Sequence, residues 1–316
     1  MVLGGDRVLE GTSFEAIAAL AADNHSGAAH IASRAADILA QRAASGQAPS
    51  AEAFRREMLL MGRALIRAQP VVAPLITLVN MVLWRIEQGE SPLHLHQAVE
   101  KVVDDFKRQL RLHALHVAEE TLGLIREGCK IVTLSFSSTI QHALIHAQRA
   151  GRRFEVVCAE ALPGSAGREA VQLLRNRGVA ATLYDDIAAV AAIATADLVL
   201  VGADMLTIDG LVNKAGTLAM AKAARAAGTP FYTLCGSEKF VPPGFWLDER
   251  ERGFEPKEAQ QYTPQLGGLP FDFVPLELLS GIVTEEGILP IAGIEAWLAA
   301  TQLHPSLARP SAAVIL

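Results

Sequence analysis

The residues best suited to chemistry stand at the ends of short apolar runs. Ser135-Phe136-Ser137-Ser138-Thr139 follows the run Ile131–Leu134 and leads into an Ala/Leu/Ile-rich segment of helical character. A helix N-terminus offers free amide N–H groups and the positive end of the macrodipole, so small hydroxyls there complete a cradle for an anion such as phosphate. Ordinary capping by one serine accounts for the same residue types. A second group lies in VGADMLTIDGLVNKAGTLAM, with Asp204 at a strand end, an Asp209-Gly210 turn, and Asn213-Lys214-Ala215-Gly216-Thr217 opening a helix. Here Lys214 would bring positive charge, Asn213 both a donor and an acceptor, and Gly216 room for backbone and ligand to approach. An ion pair between Asp204 and Lys214 is the competing structural explanation.

Three more groups have the same placement. Glu160 and Pro163-Gly164-Ser165 follow EVVCAE, Asp185-Asp186 follows AATLY, and Gly236-Ser237-Glu238-Lys239 closes PFYTLCG. Neither a Gly-x-x-x-x-Gly-Lys-Ser/Thr loop nor a Gly-x-Gly-x-x-Gly fingerprint is present, which disfavours the nucleotide sites built on them. His142 and His146 are four apart but lack the glutamate of His-Glu-x-x-His, and His113 and His116 have no acidic ligand of obvious geometry in the sequence. All four read as helix-surface or interface histidines, and no metal site is expected. A Ser135–His hydrolase dyad is disfavoured because Gly-x-Ser-x-Gly is missing.

The elements that must position these residues fall into two regimes. From about residue 13 to 128, apolar positions recur at three- and four-residue spacing, which predicts helices. Ser50 with Glu52 marks one helix start, Pro70 a break, and Ser91-Pro92 the start of a long helix over about 93–126. Trp84, Met81 and Leu83 read as core or oligomer contacts. After Gly128 the apolar runs KIVTL, EVVCAE, AATLY, DLVLVGA, PFYTLCG and FDFVP alternate with helical stretches, the pattern of a doubly wound parallel sheet. Such sheets bind ligands beyond the carboxyl ends of their strands, where the polar groups stand. Pro242–Gly268 is the one long stretch without regular pattern.

The totals narrow the partners. A formal charge of −6 gives no electrostatic reason to expect direct nucleic acid binding or an anionic membrane, so a small molecule or protein fits better. Cys129, Cys158 and Cys235 are widely spaced and set in apolar runs, which reads as buried thiols in a reducing cytoplasm. The start MVLGGDRVLEGTSFE lacks the basic and apolar regions of a signal peptide, and LITLVNMVLW is interrupted by Asn80 and ends before Arg85, too short to span a membrane.

Taken in order, the helical first half, VGAD with Asp-Gly and Asn-Lys-x-Gly-Thr, PFYTLCGSEKF and FDFVPLELLSGIVTEEGILP resemble the initiation factor 2B alpha/beta/delta-subunit family. That family also contains methylthioribose-1-phosphate isomerase and ribose-1,5-bisphosphate isomerase. The resemblance covers almost the whole chain and implies an α/β protein: a helical N-terminal domain over 1–128 and a Rossmann-like ligand-binding domain over 129–316. It also implies a phosphorylated small-molecule ligand, no cofactor, and a cytoplasmic homodimer or higher homo-oligomer.

The likeness is uneven at the site. Asp204 matches the isomerases' catalytic aspartate, whereas their catalytic cysteine corresponds to Ser135 in Thr133-Leu134-Ser135-Phe136. Their Glu-Thr-Arg-Pro appears as Glu160-Ala161-Leu162-Pro163, keeping the acid and losing the arginine, and Gly167-Arg168 still match. Their phosphate-holding Arg-Gly-Ala appears as Ser26-Gly27-Ala28, and Asp186 matches the aspartate before an Ala-Ala pair. The expected site is therefore Asp204 and Ser135, with Gly27, Ser137, Ser138, Glu160, Arg168, Asp186, Asn213 and Lys214 holding ligand. A serine hydroxyl does not ionise near neutrality as a thiol at a helix N-terminus does, and losing a group of that kind costs about 10²–10⁴-fold in rate. Three functions remain open: a sugar-phosphate binder with an altered isomerase pair, an active isomerase on a changed substrate, and a non-catalytic interaction subunit.

Overall fold

A computed structural model describes residues 11–23, 26–45, 48–89, 91–162, 164–245 and 271–308. The first ten residues, Pro163 and most of the irregular stretch Pro242–Gly268 lie outside them. Five helices come first: α1 (Gly11–Ala21), α2 (Ala28–Ser45), α3 (Ala51–Ala68), α4 (Ala73–Ile86) and α5 (Pro92–Thr121). The Ser50 hydroxyl caps α3 by accepting from the Ala53 amide, and Ser91 caps α5 at His94 with Pro92 in the first turn. α4 is apolar on all sides, and the bundle buries it: Leu75, Ile76, Leu78, Val79 and Val82 are sealed from solvent. Each such side chain contributes about 1.5–3 kcal/mol of transfer free energy. α5 stops at Thr121, short of the expected Arg126. The Thr121 hydroxyl bonds back to the Val117 carbonyl, and the chain tightens into turns around Gly123.

The second half alternates β1 (Lys130–Leu134), α6 (Ser138–Arg149), β2 (Glu155–Ala159), α7 (Ala166–Asn176), β3 (Ala180–Tyr184), α8 (Asp186–Ala192) and β4 (Leu198–Val201). It continues with β5 (Met205–Leu206), β6 (Gly210–Lys214), α9 (Thr217–Ala227), β7 (Phe231–Leu234), β8 (Phe271–Pro275), β9 (Gly281–Thr284), β10 (Gly287–Leu289) and α10 (Ile294–Ala299). The main sheet runs β10-β9-β7-β4-β1-β2-β3 and is parallel except for the β9–β10 hairpin. Order reverses beside β1, so its end and that of β4 form the crevice where such sheets take ligands.

Two expectations are corrected here. FDFVP does not join the parallel sheet; as β8 it pairs antiparallel with β6 in a separate three-stranded sheet, β5-β6-β8. The Asp272 carboxylate fixes it there, accepting from the Gly216 and Leu218 amides at the start of α9. GIVT, unassigned by the apolar runs, takes the vacant place beside β7. Asn213 and Lys214 likewise end a strand, and α9 opens only at Thr217 after Gly216, whose φ of 104° suits glycine.

All three cysteines are buried free thiols, and burial pushes Cys158 up to about 12, far from a reactive thiolate. Leu83 is core, whereas Trp84 donates to the Gln302 carbonyl and packs edge-on to the His304 ring, tying a C-terminal segment to the bundle. Among the described residues no helix is long and apolar enough to cross a membrane.

Candidate functional site

The polar strand ends meet the helical bundle around one cavity. Its sheet-side wall is Leu134 to Ser138, Gly202 to Asp204, Asn213, Lys214 and Lys239; its bundle-side wall is Asp23, Gly27, Ala28, Gln69 and Val72. Ser137 is the N-cap of α6, its hydroxyl facing the Ile140 amide, so the capping explanation holds for that one serine. Ser135 and Ser138 line the cavity on either side of it. Ser135 has φ of 62°, a left-handed conformation that costs a non-glycine residue about 1–2 kcal/mol. That turn follows β1 directly, and the residues after it, to Ser138, line the cavity. Gly202 makes room for it: a Cβ there would lie 2.5 Å from Ser137 Oγ.

Asp204 is pinned by its backbone. Its N–H donates to the Val212 carbonyl and its carbonyl accepts from the Ala73 amide at the start of α4, both at 3.0 Å. The bundle thus contacts the sheet at this residue. By surface area Asp204 is half-buried, yet protein atoms crowd its carboxyl, and this burial raises its pKa from 3.8 to about 6 against the opposing pull of Lys239 and Lys214. The crowding matters more than the residual surface, because the carboxyl faces the cavity and not bulk water. Burial lowers the Lys214 pKa while Asp204 raises it, so the ion-pair explanation captures an interaction but not the dominant effect. Asn213 is buried and donates from Nδ2 to the Thr217 hydroxyl at 3.0 Å.

The site expected from the sequence divides. Ser135, Ser137, Ser138, Gly27, Asp204, Asn213 and Lys214 share the cavity lining; Glu160, Arg168 and Asp186 are outside it. Glu160 instead accepts from Arg168 Nε at 2.6 Å, on a side chain 64% exposed. Asp186 accepts from the Ala161 and Leu162 amides at 2.7 and 3.0 Å, holding the loop that brings Gly164 and Ala166 to the lining.

Lys239 was missed. It is 4% exposed, lines the cavity, and donates to the Thr139 hydroxyl at 3.4 Å in the first turn of α6. Its place just after β7 is a signal it shares with Gly236, Ser237 and Glu238. Gln69, which carries no such signal in the sequence, donates from its amide to the Leu20 and Asp23 carbonyls and shapes the bundle-side wall. His113, for which the sequence offered no acidic neighbour, stands 2.7 Å from Glu238. His146 pairs with Glu119 at 2.8 Å, and burial lowers the His142 pKa. Among the described residues no cluster has the makings of a metal site.

Comparison with known proteins identifies the family. Residues 24–291 match the initiation factor 2 subunit family. Ribose 1,5-bisphosphate isomerase of Archaeoglobus fulgidus is 31% identical over 271 residues, 84% of this chain and 85% of that protein. The translation initiation factor eIF-2B structure from Pyrococcus horikoshii superposes with a TM-score of 0.76 at 24% identity, over 89% of this chain and 98% of that one. A chain of the tetrameric eIF2B-beta2-delta2 complex from C. thermophilum gives 0.76 at 21% identity, over 93% and 95%; at these identities the two structures speak to fold. A helical N-terminal region, a mostly parallel sheet and a family match spanning most of the sequence together place this chain in the initiation factor 2 subunit family.

Proposed function

We propose that the chain binds a small phosphorylated sugar in this cavity, its phosphate held by the amides and hydroxyls at the start of α6 and by two lysines. One observation carries the reading: Lys214 and Lys239, from different strand ends, converge with Ser135, Ser137 and Ser138 on a cavity that also contains Asp204. A dianion answers those donors and the two ammonium groups; of the two aspartates in the lining, Asp23 is paired with Arg34. The relative from Archaeoglobus, named for a ribose bearing two phosphates, supports the ligand class. Asp204, with a pKa near 6, is placed to give and take a proton near neutrality. Ser135 stands where the isomerases have a thiol, and it positions an oxygen of the sugar without serving as an acid. Aldose–ketose turnover is therefore reduced by about 10²–10⁴-fold or lost. We extend the reading to a cytoplasmic homodimer assembled through the sheet half.

Calorimetric titration with ribose-1,5-bisphosphate tests the site. Binding by wild type, weakened at least tenfold in Lys214→Ala, is expected from a lost charge-assisted contact of roughly 1.5–3 kcal/mol. No binding by wild type would overturn the reading and leave the interaction-subunit alternative. Phosphorus NMR of the incubated bisphosphate separates binding from catalysis. Conversion that Asp204→Asn abolishes would establish an active isomerase, whereas Ser135→Cys is expected to raise turnover by about 10²-fold or more if only the thiol is missing.

A further inference from the structure

Behind the cavity lies a cluster that ligand binding, as described so far, does not use. His113 on α5 is held between two carboxylates, with Nδ1 2.7 Å from Glu238 Oε2 and Nε2 3.6 Å from Glu285 Oε1. Both glutamate side chains are only 9% exposed. Glu285, at the turn between β9 and β10, also accepts from the Ser237 amide at 3.0 Å and from the Ser237 hydroxyl. On the other side, the Glu238 carbonyl accepts from the Thr77 hydroxyl of α4 at 2.9 Å. These contacts grip the short 3₁₀ turn Ser237–Lys239, whose last residue sends its ammonium to the cavity and to Thr139.

The electrostatics give the imidazole a defined state. The charged groups acting on it are Glu238 from the 3₁₀ turn and Glu285 and Glu286 from the β9–β10 turn, all acidic. A neutral imidazole has one N–H and can serve one carboxylate; an imidazolium has two and can serve both. Two nearly buried carboxylates side by side need that cation. Burial alone would lower the His113 pKa, but the hydrogen bond to Glu238 and the acidic neighbours raise it above 6.5.

We propose that His113 is a positioning residue for Lys239: as an imidazolium bridging Glu238 and Glu285, it clamps the turn that aims the lysine at bound phosphate. The proposal rests on the sugar-phosphate reading of the cavity and adds to it a control from outside the lining. When the ring loses its proton, Nδ1–H can still serve Glu238, but the ion pair across the ring to Glu285 is lost, and Glu285 holds the turn only through Ser237. The Glu238 carboxylate, facing a neutral ring, then competes for the neighbouring ammonium. Phosphate affinity accordingly falls as pH rises through the His113 pKa.

The test is calorimetric titration of ribose-1,5-bisphosphate into wild type, His113→Gln, Lys239→Met and the double variant, from about pH 6 to about pH 9. Glutamine keeps one hydrogen bond without the charge. Because phosphate and Asp204 titrate in every variant, the readout is the ratio of wild-type to His113→Gln affinity at each pH. A ratio of about five- to tenfold at the acid end, closing to within about twofold at the alkaline end, is expected, as is its absence when Lys239 is methionine. A constant ratio, or the same loss in the Lys239→Met background, overturns the proposal while leaving the cavity reading intact; no wild-type binding at any pH overturns the cavity reading itself. Imidazole NMR of the wild type guards against a variant that fails to fold: a His113 pKa at or below 6.5 also overturns the clamp.

Discussion

At the ends of β1, β4 and β6, Ser137, Asp204 and Lys214 line a shared cavity, whereas Glu160 and Asp186, beside the ends of β2 and β3, bond to Arg168 and to neighbouring amides. The residue types are alike; the difference is whether local partners have already claimed the polar atoms. A carboxylate accepting from two backbone amides has little left for a ligand, and an ion pair exposed to water is screened. A lysine 4% exposed at a cavity wall turns its donors toward whatever enters. Polar strand ends therefore belong to a site in proportion to how poorly the chain satisfies them.

Four substitutions probe that contrast. Lys239→Met should weaken ribose-1,5-bisphosphate binding by about 10–100-fold, the worth of a charge-assisted bond in a partly desolvated site. Arg168→Met should change it by less than about threefold, and equal losses by calorimetry would erase the distinction. Asp186→Ala should cost about 1–3 kcal/mol in denaturant unfolding, because two amides lose their acceptor, with affinity changed far less. A large affinity loss at unchanged stability would instead move Asp186 into the site.

Asp204→Asn should stabilise the protein, on the order of 1 kcal/mol after allowance for the residue's partial exposure, and only in a defined pH range. Below 3.8 the carboxyl is protonated whether folded or unfolded; between 3.8 and about 6 the unfolded chain ionises first and wild type loses stability. The advantage of the amide should open across that interval and stay level above it, and a thermal-melt difference that does not vary with pH would deny the buried acid. Smallest of all, Arg168→Met should leave stability within about 0.5 kcal/mol.

Much of this was legible in the chain. Ser50 and Ser91 announced their helices through cap chemistry, and five apolar runs became the parallel strands they predicted; for the central β1 and β4, buried almost throughout, both faces must be apolar. Less legible were the strands outside that rule. β6 carries Asn213 and Lys214 at its end and reads as a loop opening a helix, while β9 opens on Gly281 and is followed at once by the polar turn Glu285-Glu286. Lys239 and His113 were hidden for another reason: a lone cation or imidazole has no periodicity, and its meaning depends on what folds against it.

Local chemistry in the sequence marked the capped helix starts and the five strands of the parallel sheet it predicted, and it pointed to the family to which the chain belongs. Tertiary structure decided which polar ends face one another. Strand order brings β1 between β4 and β2, and the bundle closes over Asp204 through the Ala73 amide. It also sets His113 against Glu238, 125 residues away in the chain. Hydrophobic periodicity tells each segment which face to bury but not which neighbour to bury it against, so convergence of distant side chains is a property of packing.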